Sequence, residues 1–533
     1  MKRDVFIGGA WPYANYFMHI GHLAALLPGD IIARYYRIHG DNVIYVSGSD
    51  CHGTPITQRA SKEGVTPEEI ANFYHEEFVK TFNNMNFEYD EYAKTSDSYH
   101  EELVQKYFLT LKENGYIFEQ ELPQDYCESC EEFLSDREII GECPICHGES
   151  AGDQCEECLA SLNSSEVLNK RCKKCNSKTI MKDNKHLYFK LTAFKEDLQK
   201  LIDDNKNKWR KNALGEAQKY LDMGLVDRAA TRQIDWGVKV PVDGYEDKRI
   251  YVWIEAVFGY LTTGNHVAEL RNIDFDQFMA ADNKNLVTYY IHGKDNIPFH
   301  TTIFPALIKG LKNNYRLPDY IVSSAYIVLN NEKMSKSKGN LITVNELLET
   351  FTSDTLRFYF TMNGPETKDT SCSIEEIIQD HNKFLVGVLG NFVNRNLSFV
   401  LKKFNGEIKK SEIDSKIKKT TEEIYDKVGS LIEKGELKSA INQVFEYISF
   451  GNKYYDERQP WIQAKENLDE FNITTYNCVY MMANIANLIY PFMPDASLKL
   501  IKQLNLDKPV WEEIILDDDL KLETVELLFN KID

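Results

Sequence analysis

The chain comprises 533 residues, 43% hydrophobic and 27% charged, and because a single compact domain rarely exceeds about 300 residues, we expect at least two or three domains. Its formal net charge of −20 argues against a protein that coats nucleic acid non-specifically, since phosphate repels an acidic surface, but a locally shaped RNA site stays compatible with it. The N-terminus shows no long apolar targeting segment and no run reaches about 18 apolar residues, which predicts a cytoplasmic protein without a membrane span.

The first predicted elements alternate between strand and helix. The apolar run Val5–Ile7, followed by two glycines, predicts a buried strand, and Val43–Val46 predicts another. Between them, Gly21–His39 has the pattern of a helix that is interrupted or kinked at Pro28. A strand, a helix and a strand in this order predict a right-handed βαβ unit in a parallel sheet.

A cysteine-rich segment with many turn residues, from about Gly115 to Arg232, interrupts this pattern. Sheet character resumes afterwards, and we expect strands at Arg249–Trp253, Leu286–Ile291 and Tyr320–Val322. The parallel-sheet domain is therefore expected to be split in two halves around an insertion.

The remainder of the chain, from about Asp369, has a helical pattern. Apolar residues recur there at three- and four-residue steps, which is typical of helices that bury one face. The clearest stretches are Ile374–Asn396, Glu422–Glu433, Leu437–Tyr454 and Asn477–Tyr490. This pattern predicts a C-terminal helical bundle.

Two histidines follow the first predicted strand, in Met18–His22, shortly after Pro12–Asn15. Ligands of open α/β sheets bind beyond the carboxyl ends of the strands, and a helix N-terminus offers N–H donors to phosphate. His19 and His22 are three residues apart, so both can project from one helical turn towards a nucleotide. Alone, this short motif also fits histidines that only pack or face solvent.

A lysine-rich loop is predicted much further along the chain, after the strand-like run Ile327–Leu329. Lys333 and Lys336 stand there among serine and glycine, and such lysines can reach phosphate oxygens. Alone, the segment also fits a solvated basic loop. Taken together, the histidine pair and the lysine loop resemble the two signature motifs of class I aminoacyl-tRNA synthetases.

Further segments resemble the methionyl-tRNA synthetase family in particular. They are Ala10–Asn15, Gly48–Ile56, Tyr251–Ala256, Gly259–Tyr260, His292–Asp295, Phe299–His300, Asn391–Asn396 and Pro460–Trp461. The resemblance implies a methionine–tRNA ligase, which activates methionine with ATP and Mg²⁺ to methionyl-adenylate plus pyrophosphate and then transfers methionine to the 3′ end of methionine tRNA with a CAU anticodon. It also implies an α/β fold, in which a Rossmann-like parallel-sheet catalytic domain is split by a zinc-knuckle insertion and followed by an all-α anticodon-binding bundle. We expect a monomer.

The resemblance assigns roles to matching positions, with Asp50 holding the substrate ammonium. The methionine-binding residues are Trp11, Tyr13, Asp50, Arg232, Trp253, Ala256, Tyr260 and His300. The ATP-binding residues are His19, His22, Lys294, Asp295, Lys333 and Lys336, of which His19, His22, Lys333 and Lys336 are catalytic. The anticodon-binding residues are Asn391, Arg395 and Trp461. The chain departs from many relatives at Trp11, Glu255, Val257 and Ile303, which alters details of the pocket.

Eight of the eleven cysteines form four Cys-x-x-Cys pairs. In a chain without a signal peptide this spacing favours two structural, tetrahedral Cys₄ zinc sites over disulfides. The expected ligands are Cys127, Cys130, Cys143, Cys146, Cys155, Cys158, Cys172 and Cys175. The resemblance suggests that the outer two pairs share one site and the inner two the other, whereas spacing alone also permits sequential pairing. His147 is a possible substitute ligand that we interpret as a bystander.

The expected domains are residues 1–114, the first half of the catalytic domain; 115–232, the connective insertion; 233–325, the second half of the catalytic domain; 326–370, the lysine loop and stem-contact region; and 371–533, the anticodon-binding domain.

Three alternative functions fit the sequence less well. Another class I synthetase, for leucine, isoleucine, valine or cysteine, is disfavoured by Trp253, Tyr260, His300 and the short insertion. A zinc-knuckle RNA-binding protein would not explain the histidine and lysine motifs. An ATP-dependent nucleotidyl transferase that does not charge tRNA would leave the helical domain unexplained.

Overall fold

The computed structural model describes residues 2–134, 138–152, 155, 158, 162, 166–329, 341–516 and 518–533. The strands are β1 Asp4–Gly9, β2 Asn42–Ser49, β3 Glu91–Lys94, β4 Ile117–Cys127, β5 Glu132–Phe133, β6 Ile139–Glu142, β7 Glu149–Ala151, β8 Leu168–Cys172, β9 Ile180–Phe189, β10 Arg228–Ala229, β11 Thr231–Arg232, β12 Arg249–Ile250, β13 Leu286–Gly293, β14 Tyr320–Ser324, β15 Ile327–Leu329, β16 Thr370–Cys372, β17 Glu407–Ile408 and β18 Leu520–Lys521.

The α-helices are α1 Ile20–Ile38, α2 Thr54–Glu63, α3 Pro67–Asn84, α4 Ser98–Glu113, α5 Lys195–Asp204, α6 Lys211–Asp222, α7 Val252–Leu270, α8 Phe275–Phe278, α9 Phe304–Leu311, α10 Val344–Leu348, α11 Ser353–Asn363, α12 Ile374–Asp380, α13 Asn391–Phe404, α14 Ser415–Glu433, α15 Leu437–Arg458, α16 Pro460–Glu466, α17 Leu468–Ile489 and α18 Pro494–Gln503. Short 3₁₀ segments span Leu191–Phe194 and Lys294–Asn296, and π-helical segments span Phe299–Ile303 and His381–Gly390. The chain forms two units, the larger comprising Met1–Leu103, Phe194–Gly224 and Glu255–Asp533 and the smaller Val104–Ala193 and Leu225–Ile254.

A five-stranded parallel sheet lies at the centre of the larger unit. Its strand order is β14-β13-β1-β2-β3, and every neighbouring pair is parallel. Asp4 of β1 lies opposite Asn42 of β2 and Leu286 of β13. The three central strands are almost entirely buried, as expected for a sheet covered on both faces. The predicted βαβ unit is therefore present, and both halves of the split domain contribute strands to one sheet.

Helix α1 continues without interruption through Pro28. A proline inside a helix removes the N–H that would bond the carbonyl four residues earlier, here that of Ala24. The hydroxyl of Ser324, at the end of β14, donates a hydrogen bond of 3.3 Å to this carbonyl. The helix is not interrupted there because a residue distant in sequence satisfies the group that proline leaves unbonded.

The strand expected at Arg249–Trp253 is wrong in its second half, because α7 begins at Val252. Only the first two residues of this run pair with a neighbouring strand, β11. A short run of β-branched and aromatic residues fits a strand or a buried helix equally well, so its pattern could not decide. Trp253 consequently lies in the first turn of a helix, with 46% of its surface exposed.

The smaller unit is built on a long antiparallel pair of strands. β4 pairs with β9 from Ile117 opposite Phe189 to Tyr126 opposite Ile180, within a sheet of order β10-β9-β4-β5. A second sheet has the order β7-β6-β8. Cys127 ends β4 and Cys172 ends β8, so cysteine pairs lie where strands turn.

The helical C-terminal part of the larger unit confirms the expected bundle. Its run Ile374–Phe404 is long and apolar enough, by length and composition alone, to cross a membrane. The ring of Phe392 nevertheless lies against Gly451 of α15, where an added Cβ would come within 2.6 Å of it. Leu389 and Leu397 of the same run are fully buried. We therefore interpret the run as a core element of the bundle.

A buried ion cluster connects the sheet domain with the helical bundle. The guanidinium of Arg357, on α11, donates to the carboxylate of Asp30, on α1, at 2.5 Å, and Arg34 donates to the same carboxylate at 2.8 Å. Further N–H groups of Arg357 donate to the carbonyls of Met85, Pro491 and Phe492. Burial alone would raise the pKa of Asp30, but the charges of Arg34 and Arg357 outweigh it and hold this pKa below its ordinary value. Asp30 is therefore a carboxylate shared by two arginines.

We expect Arg357→Met to destabilise the folded protein by about 3–5 kcal/mol, because it removes one partner of a buried charge. Urea denaturation followed by circular dichroism measures this as a lower midpoint. Lys419→Met, which removes an exposed partner of Glu423, serves as the control and should cost less than about 1 kcal/mol. Equal effects of the two substitutions would contradict a stabilising role for the cluster.

Candidate active site and metal centres

The segments that leave β1 and β2 stay paired beyond the sheet. Tyr13 and Asp50 form an isolated parallel bridge. The amide of Ala14 donates to the carbonyl of Asp50, and the amide of Asp50 donates to the carbonyl of Pro12, each at 2.9 Å. Tyr13 and Asp50 are thereby placed side by side at the carboxyl edge of the sheet, where parallel α/β folds bind ligands.

The two histidines cap helix α1. Nδ1 of His19 accepts the backbone N–H of Gly21 at 3.0 Å, and Nδ1 of His22 accepts the backbone N–H of His19 at 3.3 Å. The rings are stacked with their centroids 3.9 Å apart. Because Nδ1 of each ring is an acceptor, the neutral rings carry their proton on Nε2. The start of the helix thus presents two oriented imidazole donors, which suits phosphate chemistry.

Lys333 and Lys336 lie outside the described residues, but the chain on both sides of them is positioned. β15 leads into the lysine loop and pairs with β16. Beyond the loop, Thr343 forms an antiparallel bridge with His19, and the amide of Val344 donates to the carbonyl of Met18 at 2.8 Å. The described chain therefore resumes beside the histidine motif.

Lys294 and Asp295 follow the end of β13, in the 3₁₀ segment. The Lys294 ammonium donates to both carboxylate oxygens of Asp369, at 2.8 and 3.0 Å. The hydroxyl of Tyr326 donates to the Asp295 carboxylate. Both side chains assigned to ATP are thus held by residues that the sequence analysis did not single out.

Tyr260 and His300 form a buried, neutral hydrogen-bonded pair. The Tyr260 hydroxyl lies 2.7 Å from Nε2 of His300, and Nδ1 of His300 lies 2.8 Å from the carbonyl of Asn296. Burial lowers the pKa of His300 to about 4, against the opposing effect of the Asn296 carbonyl. The ring is therefore neutral, Nδ1 carries its proton, and Tyr260 donates to Nε2. The ring of His292 stacks on that of His300 at 4.1 Å, which completes an aromatic wall.

Trp11 is accommodated by two glycines, which the sequence analysis missed. A Cβ at Gly48 would lie 2.2 Å from the Trp11 ring, and one at Gly259 would lie 2.5 Å from it. Any side chain at either glycine would therefore displace the indole. Ala256 lies one helical turn before Tyr260 on α7 and is half-buried. The available sequence signal was that Trp11, Gly48 and Gly259 all lie in segments that resemble the same family, with a bulky residue at one position and glycines at the other two.

Glu255 forms a second buried cluster, with His52 and His100, which the sequence analysis also missed. Oε1 of Glu255 lies 2.7 Å from Nδ1 of His52 and 3.8 Å from Nε2 of His100. Burial would lower the pKa of His52, but Glu255 outweighs it and raises this pKa. Burial would likewise raise the pKa of Glu255, but His52 and His100 lower it. Glu255 and His52 therefore each favour the charged form of the other.

Asp50 lies in the field of this cluster. Burial, and secondarily the charge of Glu255, raises its pKa well above the ordinary value. A cationic ligand beside Asp50 would remove this penalty, because an opposite charge favours the carboxylate. The site is therefore suited to an ammonium group.

Arg232 and Trp253 belong to the smaller unit. The guanidinium of Arg232 lies 4.2 Å over the Tyr251 ring, and the Tyr251 and Trp253 rings have centroids 5.2 Å apart. Arg232 and Trp253 are both exposed. These three residues form a row of one cation and two aromatic rings.

Two of the three residues assigned to the anticodon lie around Tyr455. The guanidinium of Arg395, on α13, lies 4.5 Å over the Tyr455 ring and donates to Asp456 at 2.5 Å. The Trp461 ring lies 5.8 Å from that of Tyr455 and is 40% exposed. Asn391 is exposed one helical turn before Arg395. The structure therefore presents a cation, an amide and an indole on one part of the bundle.

The eight paired cysteines form two groups of four in the smaller unit. One group is Cys127, Cys130, Cys172 and Cys175, and the other is Cys143, Cys146, Cys155 and Cys158. Sulfur atoms within a group lie within 4.8 Å of one another. The nested grouping is thus the one that the fold contains.

The cysteine geometry fits zinc. A tetrahedral zinc–thiolate site with bonds of about 2.3 Å places its sulfur atoms about 3.8 Å apart, and Cys130 and Cys172 lie at 3.9 Å, Cys143 and Cys158 at 3.8 Å. His147 points elsewhere, since its Nδ1 lies 2.7 Å from Glu142. Four thiols around each position leave no place for a further ligand, which suits a structural ion.

We expect Glu255→Gln to destabilise the protein more at about pH 6 than at about pH 9. The raised pKa of His52 means that its charged pair stabilises fully below about pH 6.5, and that this contribution is lost as the pH rises through the raised value. Urea midpoints of variant and parent at both pH values measure the difference. Glu422→Gln, at an exposed partner of Lys418, is the control. A pH-independent effect of Glu255→Gln would contradict a charged pair.

Comparison with known proteins agrees with this arrangement. The sequence model of the family described as tRNA synthetases class I (M) matches residues 5–397. The model of the anticodon binding domain of methionyl tRNA ligase matches residues 406–533. A solved structure of Mycobacterium tuberculosis methionyl-tRNA synthetase in complex with methionyl-adenylate has the same fold, with a TM-score of 0.82 at 24% identity, covering 99% of this chain and 100% of that one.

Two relatives are similar over nearly their whole length. Methionine–tRNA ligase 1 of Alkaliphilus oremlandii is 44% identical over 99% of this chain and 97% of its own. Methionine–tRNA ligase of Bacillus cereus is 46% identical over the same shares. The chain therefore belongs to the methionine–tRNA ligase family of class I aminoacyl-tRNA synthetases.

Proposed function

We propose that this chain forms methionyl-adenylate from methionine and ATP and then transfers methionine to the 3′ end of methionine tRNA. The main support is the placement of the histidine pair, the two ends of the lysine loop and the Tyr13–Asp50 bridge at one edge of the sheet. This edge offers donors for phosphate beside an acceptor for an ammonium. Family membership supports the same reaction.

In the first step, Asp50 binds the methionine ammonium, so that the carboxylate of methionine faces the α-phosphorus of ATP. The methionine carboxylate attacks this phosphorus, and pyrophosphate leaves. Nε2–H of His19 and of His22 donate to the phosphate oxygens, and Lys294, Lys333 and Lys336 neutralise the triphosphate. Mg²⁺ bound to ATP adds further charge neutralisation. No protein nucleophile is needed, since positioning and electrostatic stabilisation supply the rate.

The aromatic wall supports selection of methionine. A thioether is polarisable and gains about 0.3–1.5 kcal/mol from an aromatic contact, which branched aliphatic side chains lack. Because the Tyr260 hydroxyl donates to Nε2 of His300 and Nδ1 of His300 donates to the Asn296 carbonyl, neither of these two side chains has a donor left for a polar substrate side chain. Trp11, Tyr13 and Ala256, all in the larger unit, complete the proposed pocket, and the roles of Trp253 and Arg232 stay predictions.

The helical domain is proposed to read the CAU anticodon. An exposed tryptophan offers a stacking face for an unpaired base, and Asn391 and Arg395 offer donors and an acceptor for base edges. Trp461 and Arg395 flank one tyrosine, so neighbouring bases could be bound together. The monomeric state and the cytoplasmic location stay predictions.

We expect methionine-dependent exchange of labelled pyrophosphate into ATP, at least tenfold faster than with leucine, isoleucine, valine or cysteine. This assay isolates the first step and needs no tRNA. Exchange with another amino acid would contradict the pocket assignment, and the absence of any exchange would contradict the proposed reaction.

The same preparation tests the second step. Methionine tRNA should be charged, and a transcript with a changed anticodon should be charged at least about fivefold more slowly, because a mismatched base contact typically costs about 1–3 kcal/mol, a factor of about 5 to 150. Trp461→Ala should slow charging while leaving pyrophosphate exchange unchanged. Loss of exchange in this variant would argue against a role confined to tRNA.

We further propose that each cysteine group holds one structural zinc ion. Elemental analysis of the purified protein is expected to give two zinc ions per chain, one for each group of four thiols. Cys130→Ser and Cys146→Ser should each leave about one ion. Cys372→Ser, at a buried cysteine outside both groups, is the control and should retain two. Loss of both ions from one single variant would contradict independent sites.

A further inference from the structure

Two side chains assigned to ATP are held by partners that have no assigned role. Tyr326 and Asp369 contact Lys294 and Asp295, which follow β13 at the carboxyl edge of the sheet. Sheet pairing fixes these positions, because Gly293 lies opposite Ser324 at the ends of β13 and β14. Lys294 and Tyr326 therefore leave the sheet as neighbours.

Asp369 is itself held by the backbone. One of its carboxylate oxygens accepts the N–H of Tyr326 at 2.9 Å, and the amide of Thr370 donates to the carbonyl of Tyr326 at 2.9 Å. The Lys294 ammonium then donates to both oxygens of this fixed carboxylate. The pKa of Asp369 lies below its ordinary value because of these bonds from Lys294 and from the Tyr326 amide.

Tyr326 contacts both ATP-binding candidates at once. Its ring lies 3.6 Å under the Lys294 ammonium, and its hydroxyl donates to Asp295. Burial, followed by the hydrogen bond to Asp295, raises the pKa of Tyr326 to about 12, so the phenol keeps its proton at neutral pH. A lysine side chain carries about 2 kcal/mol of rotamer entropy, which a ligand must otherwise remove on binding.

We propose that Tyr326 and Asp369 are positioning residues for ATP, which fix Lys294 and Asp295 in the orientation that the nucleotide requires. The Asp369 carboxylate accepts some of the N–H donors of the Lys294 ammonium, and the Tyr326 ring contacts the same group. Together they orient the N–H donors that remain for the nucleotide. The Tyr326 hydroxyl fixes one oxygen of Asp295 and leaves the other for the ligand. This inference rests on the proposed function, because it takes ATP as the ligand of these two residues.

The test uses Tyr326→Phe and Asp369→Asn in the full chain. Phenylalanine keeps the ring under the ammonium and removes the bond to Asp295, while asparagine keeps an acceptor for the Tyr326 amide and removes the charge. Each should raise KM for ATP in pyrophosphate exchange about tenfold, as expected for loss of one bond to a charged group. The kcat and the KM for methionine should change less than threefold, and the melting temperature should stay within about 2 °C.

Asp519→Asn is the matched control, because Asp519 also binds a lysine, Lys409, and a backbone amide, that of Lys410. It should leave KM for ATP unchanged. In a Lys294→Ala background, Asp369→Asn should have less than a twofold further effect, since it acts through Lys294. Equilibrium binding of ATP without methionine gives a second readout that does not need the exchange reaction. If the parent protein binds ATP but shows no exchange, the proposed reaction fails, and the positioning roles can still be tested by ATP binding to the variants.

Two results would overturn the proposal. An unchanged or lower KM for ATP in Asp369→Asn would mean that Asp369 does not position Lys294 or competes with the nucleotide for it. An undiminished effect in the Lys294→Ala background would mean that Asp369 acts by another route.

Discussion

The shared carboxylate of Asp30 is the constraint on which the geometry of the larger unit depends. Helix α1 carries the stacked histidines at its first residues and Asp30 near its middle. Arg357 reaches Asp30 from α11 and also binds the carbonyls that follow α17. Because a buried carboxylate is costly unless its partners stay in place, the same interaction that joins the bundle to the sheet also fixes the helix that aims the histidines.

The buried titratable groups near the candidate methionine site divide into two kinds. Tyr260 and His300 are neutral and satisfy each other, which leaves an aromatic surface. Glu255 and His52 lie in contact, and each favours the charged form of the other. Among the described residues, no cation forms an ion pair with Asp50, and burial together with the charge of Glu255 disfavours its carboxylate form. The electrostatic cost in this region is therefore that of keeping the Asp50 carboxylate ionised, and an ammonium ligand beside it would reduce this cost.

Local pattern predicted the elements whose signals are local. Strands β1, β2, β13 and β14, helix α1 and the C-terminal helices follow from apolar periodicity, and the histidine and lysine motifs could be recognised because each is contiguous in sequence. Long-range partners could not be predicted in this way. Nothing near Pro28 indicates Ser324, and the segments that carry Trp11 and Gly259 do not by themselves show that the two meet, because these pairs come together only after the sheet has formed. Short runs limit prediction in a second way. The run that contains Val252 was expected to be a strand but becomes helix α7, since a short apolar run fits strand and helix alike.

The protein is acidic, yet we propose that it binds two anionic ligands, ATP and tRNA. Local geometry explains how the two are compatible. Three cations assigned to ligands each lie over a tyrosine ring: Lys294 over Tyr326 at 3.6 Å, Arg232 over Tyr251 at 4.2 Å and Arg395 over Tyr455 at 4.5 Å. An aromatic face attracts a cation without neutralising its charge, so the cation is oriented and still available to an anion. Lys294 and Arg395 are also bonded to a carboxylate, which fixes their direction further. At a net charge of −20, long-range attraction contributes little to recruiting ATP or tRNA. On the proposed roles, recognition therefore depends on a few cations held in prepared orientations, which is the arrangement that these tyrosines provide.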